Sequence, residues 1–163
     1  MKQLWSPWRI EYILREKPDA CVFCEAFRAA PAEDREHLIL HRGRYCTVIM
    51  NLFPYNNGHL MVVPNVHQPT FEELPTEALG ELMSLANRAV TTLRRALNAE
   101  GFNLGVNLGK IAGAGIGEHV HMHIVPRWAG DTSFFTTVGD VRCIPQSLQA
   151  SYDALKAAWD EQG

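Results

Sequence analysis

No sign of charge dominates this 163-residue chain, in which 15 Lys and Arg stand against 18 Asp and Glu, a formal net charge of -3. So weak a field argues against general nucleic-acid binding by phosphate neutralisation, while leaving room for a local pocket that takes one nucleotide. Long apolar runs are missing too. No stretch reaches the ~18 apolar residues of a membrane span, and residues 1–9, MKQLWSPWR, lack the apolar centre of a secretory leader. A cytoplasmic location is the resulting expectation. Cysteine is scarce, with only Cys21, Cys24, Cys46 and Cys143. Without a leader, a disulfide framework is the weaker reading of these four. No internal repeat or second domain is evident, so residues 1–163 are expected to form one domain with a real hydrophobic core.

What is present centres on Glu118-His119-Val120-His121-Met122-His123-Ile124-Val125-Pro126-Arg127-Trp128. Three histidines occupy every second position, separated by apolar residues. Side chains alternate faces along a β-strand, so His119, His121 and His123 are expected to line one face roughly 6–7 Å apart. Val120, Met122 and Ile124 then face a core. The plain alternative is a half-exposed strand that merely carries histidines. Two chemical readings compete with it: a catalytic metal held by strand-borne imidazoles, or phosphoryl chemistry with one imidazole as nucleophile.

The rest of the pattern is α+β. Residues 37–42, 45–50, 59–64 and 102–108 read as further strands, giving about five with the histidine strand, in an antiparallel sheet. Residues 75–98 read as one long helix, with apolar side chains from Leu79 to Leu97 at helical spacing and Gly101 as its stop. Residues 1–16 read as an aromatic-rich packed arm, 17–36 as a CxxC segment and loop, and 144–163 as a C-terminal helix. Cys21-Val22-Phe23-Cys24 has the spacing of half a zinc site, which histidines would have to complete; packed thiols are the plain alternative. Cys46 and Cys143 read as core cysteines.

Residues 107–117, NLGKIAGAGIG, bring four glycines and two alanines up to the histidines. Small residues let backbone N–H groups approach an anion, which favours a phosphate substrate over a bare metal. No Gly-Lys-Ser/Thr follows, so this is not a Walker loop.

His119-Val120-His121-Met122-His123-Ile124-Val125 resembles the signature of the histidine triad (HIT) family. Asn51 with Asn57-Gly58-His59-Leu60-Met61-Val62-Val63-Pro64 resembles that family's upstream strand. Leu4-Trp5-Ser6-Pro7-Trp8-Arg9 and the residues from Val125 to Asp131 are similar to a bacterial branch related to diadenosine tetraphosphate phosphorylases. The resemblance implies a HIT-like fold whose sheet extends across a homodimer through the long helix and the 102–108 strand. It also implies a nucleotide hydrolase or nucleotidyltransferase that attacks an α-phosphate through a covalent nucleotidyl-histidine. The substrate would be diadenosine tetraphosphate or a related adenine dinucleotide, with phosphate or water as acceptor.

By the same resemblance His121 is the nucleophile, His123 holds a phosphoryl oxygen or assists the leaving group, and His59 orients His123. Asn51 would contact ribose, and Asn107 with the backbone of Gly113, Ala114 and Gly115 would bind phosphates. Positions where relatives carry Gln and Ser or Thr are Gly115 and Ile116 here, which removes two side-chain phosphate contacts. A structural zinc on Cys21, Cys24, His67 and His119 is implied, with no organic cofactor. His41 is the substitute candidate for His67, and His37 reads as surface. Trp5, Trp8, Trp128 and Phe53 are candidates for stacking on a base, although a tryptophan is more often core or interface. Two alternatives stay open: a nucleotide-binding module with little turnover, and a metallohydrolase with zinc on the triad itself.

Overall fold

Apolar runs rich in Val, Ile and Leu pair into a five-stranded antiparallel sheet. The computed structural model describes residues 20–139 and 143–162. The strands are β1 (Ile39–Arg42), β2 (Cys46–Met50), β3 (Leu60–Pro64), β4 (Gly101–Val106) and β5 (Met122–Arg127), in the spatial order β1-β2-β3-β5-β4. Every residue of β2 and β3 is buried, which is why both read as nearly continuous apolar runs, interrupted only by Thr47, rather than as alternating ones.

One face of the sheet carries Leu40, Cys46, Val48, Met50, Leu60, Val62 and Ile124. It packs on Leu82, Leu85, Ala86, Ala89 and Leu93 of the long helix, α2 (Thr76–Leu97), and on Tyr152, Leu155 and Trp159 of α4 (Leu148–Asp160). The opposite face carries Ile39, Ile49, Met61 and Val63, covered by Phe23 and Ala26 of a short first helix, α1 (Val22–Arg28). His123 lies opposite Met61 in the β3–β5 register, so its side chain emerges on the α1 face. The remaining short helix is α3 (Phe134–Gly139).

Several sequence expectations shift. The helix at 75–98 is observed at Thr76–Leu97, but it ends on Asn98 in the left-handed conformation (φ 51), not on Gly101, which opens β4. Asparagine tolerates that conformation because its short side chain can bond locally. The 144–163 helix begins at Leu148, where Ser147 accepts from the Ala150 N–H as a cap. Helix α1 lies in the CxxC segment and α3 just after the histidine strand, where the sequence pattern indicated no helix. The aromatic arm at 1–16, with Trp5 and Trp8, lies outside the described residues.

The histidine segment departs most. Regular pairing starts only at Met122. Ahead of it, the Val120 N–H leaves the ladder and bonds to the Gln68 carbonyl at 2.7 Å. Val120 still faces apolar partners, Leu74 and Ala78.

Gly58, which leads into β3, is required by both conformation and space. Its φ is +73, and a Cβ there would lie 2.5 Å from Leu97 Cδ1 and 3.1 Å from Leu93 Cδ2. A left-handed non-glycine residue costs ~1–2 kcal/mol and overpacking ~1–3 kcal/mol. Gly58→Ala is therefore expected to lose about 2–4 kcal/mol in urea denaturation. A midpoint unchanged from wild type would contradict the close approach.

Candidate active site and metal centre

Hydrogen-bond logic fixes which nitrogen of each imidazole carries a proton, because a neutral ring has one donor and one acceptor. His59 is 1% exposed. Its Nδ1 accepts from the Tyr55 backbone N–H at 3.0 Å and lies 3.3 Å from the Asn51 Nδ2, also a donor. The proton of His59 must then sit on Nε2, which donates to His123 Nδ1 at 3.0 Å. That leaves the proton of His123 on Nε2. His121 is set the other way. Its Nδ1–H donates to the His119 backbone carbonyl at 2.9 Å, so its Nε2 holds a free lone pair. The rings of His121 and His123 stand 4.7 Å apart, edge to face. They are nearer than two strand rises because His121 precedes the regular strand. A base and a donor therefore face the same space side by side.

Burial keeps these rings neutral. Desolvation first, and then the neighbouring His123 and His121, push His59 down to about 3. Desolvation, with His121 beside it, pushes His123 down to about 4. His121 is lowered by burial and partly restored by its bond to the His119 carbonyl.

The shifts make stability pH-dependent. Above pH ~6.5 the histidine is neutral whether the chain is folded or unfolded. Below it the unfolded chain takes up protons while folded His59 does not until about 3, so stability falls as the pH drops through that window. Between pH 7 and pH 5 the loss from His59 alone is about 2 kcal/mol. Urea midpoints of wild type and His59→Asn at the two pH values check this. An equal drop in both would remove His59 as the source.

His119 faces away from this pair. Its Nε2–H donates to the Pro64 carbonyl at 2.8 Å, which leaves Nδ1 as a lone pair 3.3 Å from Cys21 Sγ and 3.7 Å from Cys24 Sγ. His67 brings its Nδ1 to 3.4 Å from Cys24 Sγ. The four donor atoms lie within 4.8 Å of one another. Tetrahedral zinc would separate a sulfur and a nitrogen ligand by about 3.5 Å, so spacing, donor types and the free lone pair on His119 all fit a metal ion. Among the described residues no other such group occurs.

The scaffold holds this quartet in place. Cys21 is the N-cap of α1 and Cys24 lies within its first turn. Arg42 ties the other end of α1 by donating to the carbonyls of Phe27, Ala26 and Ala29 while pairing with Asp34. These are carbonyls that a helix end leaves without partners. A cleft of about 570 Å³ opens beside Cys24 and His67, lined also by Arg28, Arg42 and Asn65. It opens Cys24 and His67 to solvent and touches none of His59, His121 and His123.

Other sequence candidates fall as follows. His41 stacks on Trp159 at 5.3 Å, so it is not the substitute ligand. His37 lies 4.0 Å from Glu33 at the surface. Cys46 is buried, whereas Cys143 is exposed and not core. Trp128 is half-buried and donates to the Leu97 carbonyl, a structural role. Phe53 is 43% exposed. Both ends of the Asn51 amide work within its own loop, Oδ1 accepting from the Phe53 N–H at 2.9 Å. In the glycine-rich loop, the N–H groups of Gly113 and Ala114 close its turn by bonding to the carbonyls of Lys110 and Gly109. The N–H groups of Gly115, Ile116 and Gly117, next to the histidines, make no such bond among the described residues. Sequence reasoning missed the Tyr55 N–H and the buried amides of Asn56 and Asn57, which bond to Pro126, Asp131 and Gln146 and fix that loop. The turn-forming sequence Pro54-Tyr55-Asn56-Asn57-Gly58 was the available signal.

Comparison with known proteins decides the family. The HIT domain family model matches residues 32–130. The chain belongs to the HIT family. This HIT protein is 36% identical to an AP-4-A phosphorylase of Mycobacterium tuberculosis, over 99% of this chain and 86% of that protein. It is 32% identical to an adenylylsulfatase of Arabidopsis thaliana over 69% of this chain and 57% of the plant protein. Among solved structures it is similar to a Zn-bound histidine triad family protein from Mycobacterium smegmatis, with a TM-score of 0.70 and 28% identity over 88% of this chain and 95% of that one. The five-stranded sheet and flanking helices of this HIT protein match the fold expected from its sequence.

Proposed function

We propose that this HIT-family enzyme transfers a nucleotidyl group from a dinucleoside polyphosphate, diadenosine tetraphosphate above all, by way of a nucleotidyl-His121 intermediate. One observation carries the reading: adjacent imidazoles offer complementary groups, a lone pair on His121 Nε2 and an N–H on His123 Nε2. Nε2 of His121 forms a bond to the α-phosphorus as the bond to the bridging oxygen breaks, and ATP departs with that electron pair. The His119 carbonyl keeps accepting from Nδ1–H and so stabilises the imidazolium that forms. His123 Nε2–H donates to a phosphoryl oxygen, and His59 holds His123 in the tautomer that can do so. Inorganic phosphate or water then attacks phosphorus and returns the lone pair to His121.

Asn51 serves ribose after giving up its loop contacts. Asn107 and the backbone of residues 113–117, chiefly the N–H groups from Gly115 onward, serve the phosphates. The similarity to AP-4-A phosphorylase favours phosphate as acceptor. Cys21, Cys24, His67 and His119 would hold zinc as a structural ion, since two thiolates and two imidazoles supply the four ligands that such a site takes. Zinc on the triad is disfavoured, because His119 is turned towards the cysteines and His123, accepting from His59 at Nδ1, carries its proton on Nε2, which leaves His121 Nε2 as the one lone pair of the three facing the site. No helix among the described residues is long and apolar enough to cross a membrane. Residues 1–163 act as one cytoplasmic domain that pairs with a second copy along β4, where Leu104 is 45% exposed.

The test is incubation with diadenosine tetraphosphate, with and without phosphate, followed by product separation. ADP plus ATP formed only with phosphate supports phosphorolysis; AMP plus ATP without it means hydrolysis. Inertness towards this and simpler adenylate esters would instead favour a binding module.

A further inference from the structure

One charged side chain in the loop before the triad has no part in the reading above. Residues 101–127 contain three charged side chains: Lys110, Glu118 and Arg127. Arg127 is committed, since its guanidinium donates to both carboxylate oxygens of Asp131, at 2.6 Å and 2.8 Å, and to Asn103. Lys110 is not. It opens the single turn Lys110–Ala112 and is exposed, and its ammonium makes no bond or ion pair among the described residues. Its stem lies over Gly117, where an added Cβ would sit 3.4 Å from Lys110 Cγ and 4.0 Å from Cε. The side chain therefore folds back over the end of the loop, two residues before His119.

Charge gives this position its meaning. His59 and His123 are both held neutral at pH 7. Positions 115 and 116 are Gly and Ile, so the loop there offers a phosphate only dipoles. A polyphosphate bridge carries several negative charges, and an ammonium beside it forms charge-assisted hydrogen bonds that strengthen as the bound ligand displaces water.

We infer that Lys110 is a specificity-determining residue whose ammonium binds the phosphates beyond the one attacked, selecting a polyphosphate leaving group over an uncharged one. The inference rests on the proposed nucleotidyl transfer, so its test has one arm that needs turnover and one that does not. In the first, kcat/KM is measured for diadenosine tetraphosphate and for adenosine 5′-phosphoramidate, whose leaving group carries no phosphate. In Lys110→Gln the ratio of the two is expected to fall at least tenfold, and Lys110→Arg should restore it. The salt dependence of tetraphosphate turnover should flatten in Lys110→Gln as well. In the second arm, calorimetric titration with inorganic tripolyphosphate should show binding weakened about tenfold or more by Lys110→Gln. An unchanged ratio together with unchanged tripolyphosphate affinity overturns the assignment. A wild type inert to both adenylates overturns the nucleotidyl-transfer reading instead, and Lys110 as a polyphosphate cation is then decided by the tripolyphosphate titration.

Discussion

His121→Ala is expected to lower kcat on diadenosine tetraphosphate by at least ~10⁴-fold, the scale on which an enzyme loses activity when its nucleophile is removed. Nucleotide affinity should stay within about tenfold of wild type. The separation follows from what the side chain does. Its Nδ1–H is spent on the His119 carbonyl, so in the ground state it offers a substrate only the lone pair on Nε2. That lone pair matters when the phosphorus–nitrogen bond forms, an interaction made in the transition state and not in the bound complex. Single-turnover assays with equilibrium titration of the same variant distinguish the cases. Turnover that survives would sink the nucleophile assignment, and affinity lost in step with kcat would mean that His121 mainly binds.

The second large effect is expected at the cysteines. Cys21→Ala with Cys24→Ala leaves two imidazoles from a four-donor set, and two ligands do not hold a structural ion against dilution. Stoichiometric zinc should be lost by elemental analysis. The thermal midpoint should fall by roughly 10 °C, as expected if about 3–4 kcal/mol of linked binding energy disappears from a chain of this length. Activity should fall as well, since the residue freed at Nδ1 is the one whose carbonyl holds His121. Alanines at both positions that leave zinc bound would place the metal elsewhere.

The sheet was legible because β2 and β3 are buried on both faces and so consist of apolar runs with few polar interruptions. The long helix was legible from its periodicity. Its bounds were read to within a residue, but the residue that stops it was not, because Asn98 caps the helix before the more obvious Gly101 is reached. Helix α1 was missed because seven residues give too little periodicity to read, and because its C-terminus is held by Arg42, a side chain from a strand outside the helix. Within the site, the three histidines and the CxxC were visible as residue types at informative spacings. Their division of labour was implied by the family resemblance and not by the residue pattern itself, since it depends on backbone groups: the Tyr55 N–H, the Pro64 carbonyl and the His119 carbonyl. Such groups are the same in every residue and leave no mark on a sequence.

The bond between Cys21 and His119 joins residues 98 positions apart. Once a metal bridges them, the chain between is a closed loop, and the quartet is a cross-link as much as a binding site. In the chain-entropy picture a covalent link closing about 100 residues restricts the unfolded chain by roughly 4.7 kcal/mol. A metal link acts in the same sense for as long as the unfolded chain retains the ion. Unlike a disulfide it needs no oxidising compartment to form, and it is opened by a chelator, not by a reductant.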